Sequence, residues 1–115
     1  LLKRAGTEKV RAIEPKDGSF RGEPLGINLR EGAYKTVTFK IEIGDTLLLY
    51  TDCLLECKHK NVLLGKKRLL SSLQNAPNGS AEKILNHIID DFNKHMVYND
   101  LRDDLTIIVA KKREA

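Results

Sequence analysis

In the stretch Lys35-Thr36-Val37-Thr38-Phe39-Lys40-Ile41-Glu42-Ile43-Gly44-Asp45-Thr46-Leu47-Leu48-Leu49-Tyr50-Thr51-Asp52, two strand patterns meet at a turn. The first half alternates, with Val37, Phe39, Ile41 and Ile43 on one face and Thr36, Thr38, Lys40 and Glu42 on the other, the period of a strand with one buried face. The second half, residues 46–51, is a nearly continuous apolar run, which predicts a strand covered on both faces. Gly44-Asp45 supplies the turn chemistry of a tight hairpin, so residues 35–43 and 46–51 are expected to pair antiparallel. Asp52 is then the first charge beyond a buried strand, at a rim where a carboxylate can sit without full desolvation.

Outward from this stretch, residues 1–4 and 10–14, with Gly6 between them and Pro15-Lys16-Asp17-Gly18 after them, read as a short strand pair bounded by turn formers. The opening on Leu1-Leu2 without a polar lead-in predicts a chain taken from something longer. On the other side, residues 66–74 carry Leu69, Leu70 and Leu73 at helical spacing and stop before Asn75, Pro77 and Asn78-Gly79. A second helix starts at the N-cap Ser80 and sets Ala81, Ile84, Leu85, Ile88, Ile89, Phe92 and Met96 on one side. A polar loop through Asp103-Asp104 leads into residues 105–110, an apolar and β-branched run that predicts a closing strand, and residues 111–115 read as a solvated tail. The order predicts an α+β fold, two helices packed on a largely antiparallel sheet.

The chain has 115 residues, 41% of them hydrophobic and 31% charged, with a net charge of +4. These values fit one domain or part of one and exclude disorder along the whole chain. The apolar run from Leu47 to Tyr50 is far too short to cross a bilayer, and no charged segment followed by an apolar signal core opens the chain. No membrane insertion and a cytoplasmic setting are expected. Cys53 and Cys57 lie too close for a disulfide framework. With His59 they suggest zinc, but a structural site needs four ligands, and His87 and His95 sit on the amphipathic helix with no second cysteine pair. His87 is expected on its solvent side. The basic stretches Lys58, Lys60, Lys66, Lys67, Arg68 and Lys111-Lys112-Arg113 have no interleaved aromatics, which favours solvated faces over nucleic-acid binding. A basic rim would equally attract a phosphorylated protein.

Asp52 ends one apolar strand, while Asp103 and Asp104 precede another. If those strands are antiparallel neighbours, the carboxylates share one sheet edge. Crowded carboxylates are relieved by a shared proton, a basic partner or a hard divalent cation, and an oxygen-only set favours magnesium or manganese over zinc. Asp residues at strand ends and turns equally serve local backbone donors, and position alone leaves both readings open.

Further residues narrow the choice. Gly22-Glu23-Pro24-Leu25-Gly26-Ile27, Ile43 through Asp52, Leu54, Glu56, Gly65, Arg68-Leu69-Leu70 and Asp103-Asp104-Leu105-Thr106 follow one another with gaps that resemble the C-terminal half of the stage II sporulation protein E-like phosphatases. These are a bacterial branch of the metal-dependent PPM class. The resemblance implies a serine/threonine protein phosphatase with an αββα sandwich, of which this chain would be half. It also implies a binuclear manganese or magnesium centre whose water attacks phosphoserine or phosphothreonine. By motif position it makes Asp52 and Asp103 metal ligands and Asp104 and Glu56 secondary acidic positions. The family has Gly where Cys53 stands, so a strain on the order of 1 kcal/mol is expected there. The family's N-terminal half supplies a further aspartate and an Asp-x-x-Gly-His-Gly-like segment that this chain lacks. Residues 1–115 are therefore expected to be the C-terminal part of a single domain, inactive alone. Implied partners are a phosphorylated regulatory protein of the anti-sigma-factor antagonist type and an upstream sensor domain. The alternative is a catalytically inactive phosphatase-like interaction module.

Overall fold

The computed structural model describes residues 1–15, 34–56, 58–59, 62–63, 65–95 and 104–114, with the backbone alone for 58–59 and 62–63. Among the described residues, six strands and three helices follow in the order β1 (Leu2–Lys3), β2 (Val10–Arg11), β3 (Thr46–Tyr50), α1 (Cys53–Glu56), β4 (Lys58–His59), β5 (Val62–Leu63), α2 (Gly65–Asn75), α3 (Ala81–His95) and β6 (Ile107–Lys111). Four strands form one sheet in the order β2-β1-β3-β6, every pair antiparallel, and β4-β5 form a separate two-stranded ladder. The expected α+β architecture is present, with a third helix, α1, and the β4-β5 ladder added. Both additions are too short to leave a periodic signature in the sequence.

The expected hairpin is not formed. Its turn exists: the Asp45 N–H donates to the Glu42 carbonyl at 3.0 Å, and Gly44 takes φ +89°. A side chain at Gly44 would be strained by that φ, and its Cβ would stand 2.8 Å from that of Ala5. Yet residues 35–43 form no strand. A strand has two edges, and β1 and β6 occupy both edges of β3. Alternation survives in part, since Val37, Phe39 and Ile41 are half-buried, but Ile43 is 54% exposed.

The apolar run of β3 is covered on one face rather than two. Thr46 and Leu48 are buried, whereas Leu49 is 49% exposed and faces Ile108, itself 54% exposed, across the ladder on the outer surface. All three helices supply buried residues to one core, with Leu48 of β3, Leu54 of α1, Leu69 and Leu73 of α2, and Ile84, Ile88 and Phe92 of α3. Helix α3 starts where expected because Ser80 Oγ accepts the Lys83 N–H at 3.2 Å. Ser80→Ala should cost ~1 kcal/mol in urea unfolding with an unchanged slope. His87 is half-buried. No helix among the described residues is long and apolar enough to cross a membrane.

Candidate functional site

The ladder between β3 and β6 runs from Thr46↔Lys111 to Tyr50↔Ile107. It continues one step further, where the Thr51 N–H donates to the Thr106 carbonyl at 3.1 Å. The Thr51 hydroxyl closes this end twice, donating to the Asp104 carbonyl at 3.2 Å and accepting the Thr106 N–H at 3.0 Å. The end of β3 and the approach to β6 thus meet at one rim, which carries Asp52 and Asp104, both exposed. Asp103 lies outside the described residues. Thr51 and Thr106 stand in the segments that carry the family resemblance, but the sequence assigns them no role of their own. The signal was their place beside the aspartates, since a short hydroxyl can bond backbone on the facing strand.

Directly after Asp52 the chain turns into α1. The Leu54 N–H donates to the Thr51 carbonyl at 3.1 Å, and the Leu55 and Glu56 N–H groups donate to the Asp52 carbonyl at 2.9 and 3.0 Å. Asp52 therefore stands where an N-cap would, yet among the described residues its carboxylate makes no hydrogen bond or ion pair. A strong capping residue whose carboxylate caps nothing is left available to bind something else. Glu56 ends α1, exposed, on the same short helix. Buried Leu54 holds that helix against α2 and α3.

Cys53 corrects the strain expectation. It is the first residue of α1 and 4% exposed. Helical dihedrals suit any L-residue, so no left-handed backbone is needed and the side chain packs as a small hydrophobe. Cys57 and the His59 side chain lie outside the described residues.

The donor chemistry of the rim fits a hard divalent cation, being oxygen-only and exposed at Asp52 and Asp104. Its ligand number falls short, because among the described residues no three His, Cys, Asp or Glu side chains converge as a metal site.

At the other end of β3, Asp45 is a carboxylate of a different kind, only 1% exposed. It accepts the N–H groups of Ala5 and Glu42, both at 2.9 Å, and pairs with the Arg4 guanidinium. Burial pushes its pKa up, but those two backbone bonds together with the bond and charge of Arg4 outweigh it and hold the carboxyl below its usual value. A lowered aspartate stabilises the fold above its unfolded pKa of about 3.9, and that contribution is lost as pH falls through the folded value. Melting temperature should therefore drop on acidification below about pH 4, and Asp45→Asn should lower it at neutral pH while making the acid slope shallower.

Several residues of the basic stretches are engaged within the fold. Lys66 pairs with Glu14 at 3.1 Å, Arg68 with Asp91 at 3.5 Å, and Lys112 Nζ donates to the Ile41 carbonyl at 2.8 Å.

A one-sided antiparallel sheet, helices on its inner face and an acidic rim at one end define an α+β module with its polar chemistry at a sheet edge. Residues 3–113 match the family profile described as stage II sporulation protein E (SpoIIE), and the chain belongs to that family. It is also 29% identical over 114 residues to the phosphoserine phosphatase RsbU of Bacillus subtilis (strain 168). That alignment covers 95% of this chain and 33% of the relative, so the chain spans about a third of the relative's length. No solved structure matches it.

Proposed function

We propose that this chain is the C-terminal part of a PPM-type protein serine/threonine phosphatase domain that hydrolyses phosphoserine or phosphothreonine on a regulatory phosphoprotein of the anti-sigma-factor antagonist type. The observation that carries the reading is the unengaged Asp52 carboxylate at the rim that Thr51 ties to the Asp104 backbone. Further support is the SpoIIE family membership and the likeness to a phosphoserine phosphatase.

In this reading Asp52 and Asp103 hold manganese or magnesium, with Asp104 and Glu56 as secondary acidic positions. The bound cations supply an activated water and charge neutralisation at the phosphoryl oxygens. The chain's own contribution is positional: the Thr51 clasp fixes the rim, and Leu54 anchors the helix that follows Asp52. The exposed Leu49–Ile108 face is then the inner surface of half an αββα sandwich, with the second sheet packing on it. The remaining metal ligands come from the rest of that domain, so the 115-residue chain alone is inactive. A sensor domain upstream and a cytoplasmic setting complete the proposal.

The test is phosphate release from a phosphoserine protein by the whole protein that carries this chain, with manganese, with magnesium and with chelator. Turnover that requires either cation supports the reading. Metal-independent turnover, or none, favours the alternative of a non-catalytic interaction module, which the Cys53 departure from the family's glycine motivates.

A further inference from the structure

The register of the sheet sets Lys3 opposite Thr46 and Thr46 opposite Lys111. Directly paired residues project to the same face, so two lysines flank one threonine in a single row across β1, β3 and β6. Their Cα atoms are about 10 Å apart, two strand spacings. Nothing in the linear sequence brings residues 3 and 111 together. Both side chains rise toward the connection between α2 and α3, where Lys3 Nζ donates to the Gln74 and Ala76 carbonyls at 2.9 and 3.2 Å and Lys111 Nζ to the Gly79 carbonyl at 2.8 Å.

Both lysines line a cavity of about 220 Å³, partly open to solvent, with Thr46, Pro77, Asn78 and Ile84 of the first turn of α3 among its other lining residues. An ammonium has three donors, so Lys3 retains one and Lys111 two after their carbonyl bonds. Among the described residues neither lysine has a carboxylate partner. Arg4, which also lines the cavity, is neutralised by Asp45. Glu8 lines only the adjoining hollow, exposed and paired with neither lysine. Two half-buried lysines line one concave space; the α2 C-terminal carbonyls that Lys3 holds offset part of their charge, and the N-terminal end of α3 adds positive potential.

We propose that this cavity is an oxyanion site that takes a phosphate group between the ammoniums of Lys3 and Lys111. The carbonyl bonds hold both side chains in place, and Lys is a point-charge phosphate binder that needs no bidentate geometry. The site stands apart from the acidic rim: Thr46 and Asp52 are six residues apart, roughly 20 Å along an extended strand. Its ligand is either free phosphate or the phosphoryl group of a small ester.

The test is an amide-shift titration of the whole protein with inorganic phosphate, and separately with glycerol 3-phosphate, in chelator and at ionic strength fixed with chloride. Chelator keeps phosphate from a metal at the rim. Saturable shifts centred on Thr46, Asn78 and Lys111, weakened at least ten-fold by Lys111→Met and retained by Lys111→Arg, are expected. Tighter binding of the ester identifies an organic phosphate as the ligand, and equal or weaker binding identifies the free ion. In the unmodified protein, phosphate should protect Lys3 and Lys111, but not exposed Lys67, from acetylation, a readout that needs no variant to fold. Shifts that never saturate, shifts unchanged by Lys111→Met, or acetylation unaffected by phosphate would overturn the site.

Discussion

Asp52→Asn in the whole protein is expected to lower metal-dependent turnover about 100-fold or more, because a cation that neutralises phosphoryl charge contributes several kcal/mol and each 1.36 kcal/mol is a factor of ten. The melting temperature in chelator should stay unchanged. The Asp52 carboxylate is exposed and makes no hydrogen bond among the described residues, so its removal breaks no contact in the fold. Asn is also as good a helix cap as Asp, which makes the substitution neutral even if the side chain caps α1 transiently. Asp103→Asn should behave the same way. Turnover unaffected by either change would end the assignment of both residues. Loss of turnover with an equal loss of stability would show a structural aspartate instead.

Ile88→Ala should cost ~2–5 kcal/mol, read as a shift of the denaturation midpoint without change in slope. Ile88 is 1% exposed and packs where α1, α2 and α3 meet. Leu54, Leu69 and Phe92 surround it beside a shallow hollow that Arg68 and Asp91 also line, so truncation leaves space among apolar side chains. Because Leu54 belongs to α1, the loss also loosens the helix that follows Asp52. An effect below about 1 kcal/mol would mean that the helices are not packed as described.

The parts of the fold that the sequence made legible are those with long periodic signals. Residues 80–95 announce α3 through six apolar positions and a serine cap, and the Leu69/Leu73 spacing announces α2. What was not legible depended on partners distant along the chain. Gly44-Asp45 is a sound turn signal, but whether its arms pair depends on which strands claim the edges of β3, and those come from residues 2–3 and 107–111. Likewise, an apolar run cannot reveal whether one layer or two covers it, so Leu49 was expected inside. Asp45 shows the same limit. Its sequence pattern is that of a turn residue, while its burial depends on Arg4 and Ala5, distant along the chain. At the rim, acidic residues at strand ends gave the location, while the Thr51 hydroxyl that joins the two ends left no pattern because it acts once.

The exposed outer face of β3 also bears on how the ladder keeps its alignment. Sliding a strand by one residue exchanges its faces, and the usual penalty is apolar groups sent into water and polar ones driven inside. In Leu47-Leu48-Leu49 that penalty is slight, since leucine replaces leucine wherever the strand sits. Alignment must therefore be enforced at the two ends. At one end the Gly44 N–H donates to the Lys112 carbonyl and the Lys112 N–H to the Asp45 carbonyl; at the other stands the hydroxyl of Thr51. These tethers fix where the approach to β6 at Asp104 meets the end of β3 at Thr51, a placement that hydrophobic burial leaves undetermined.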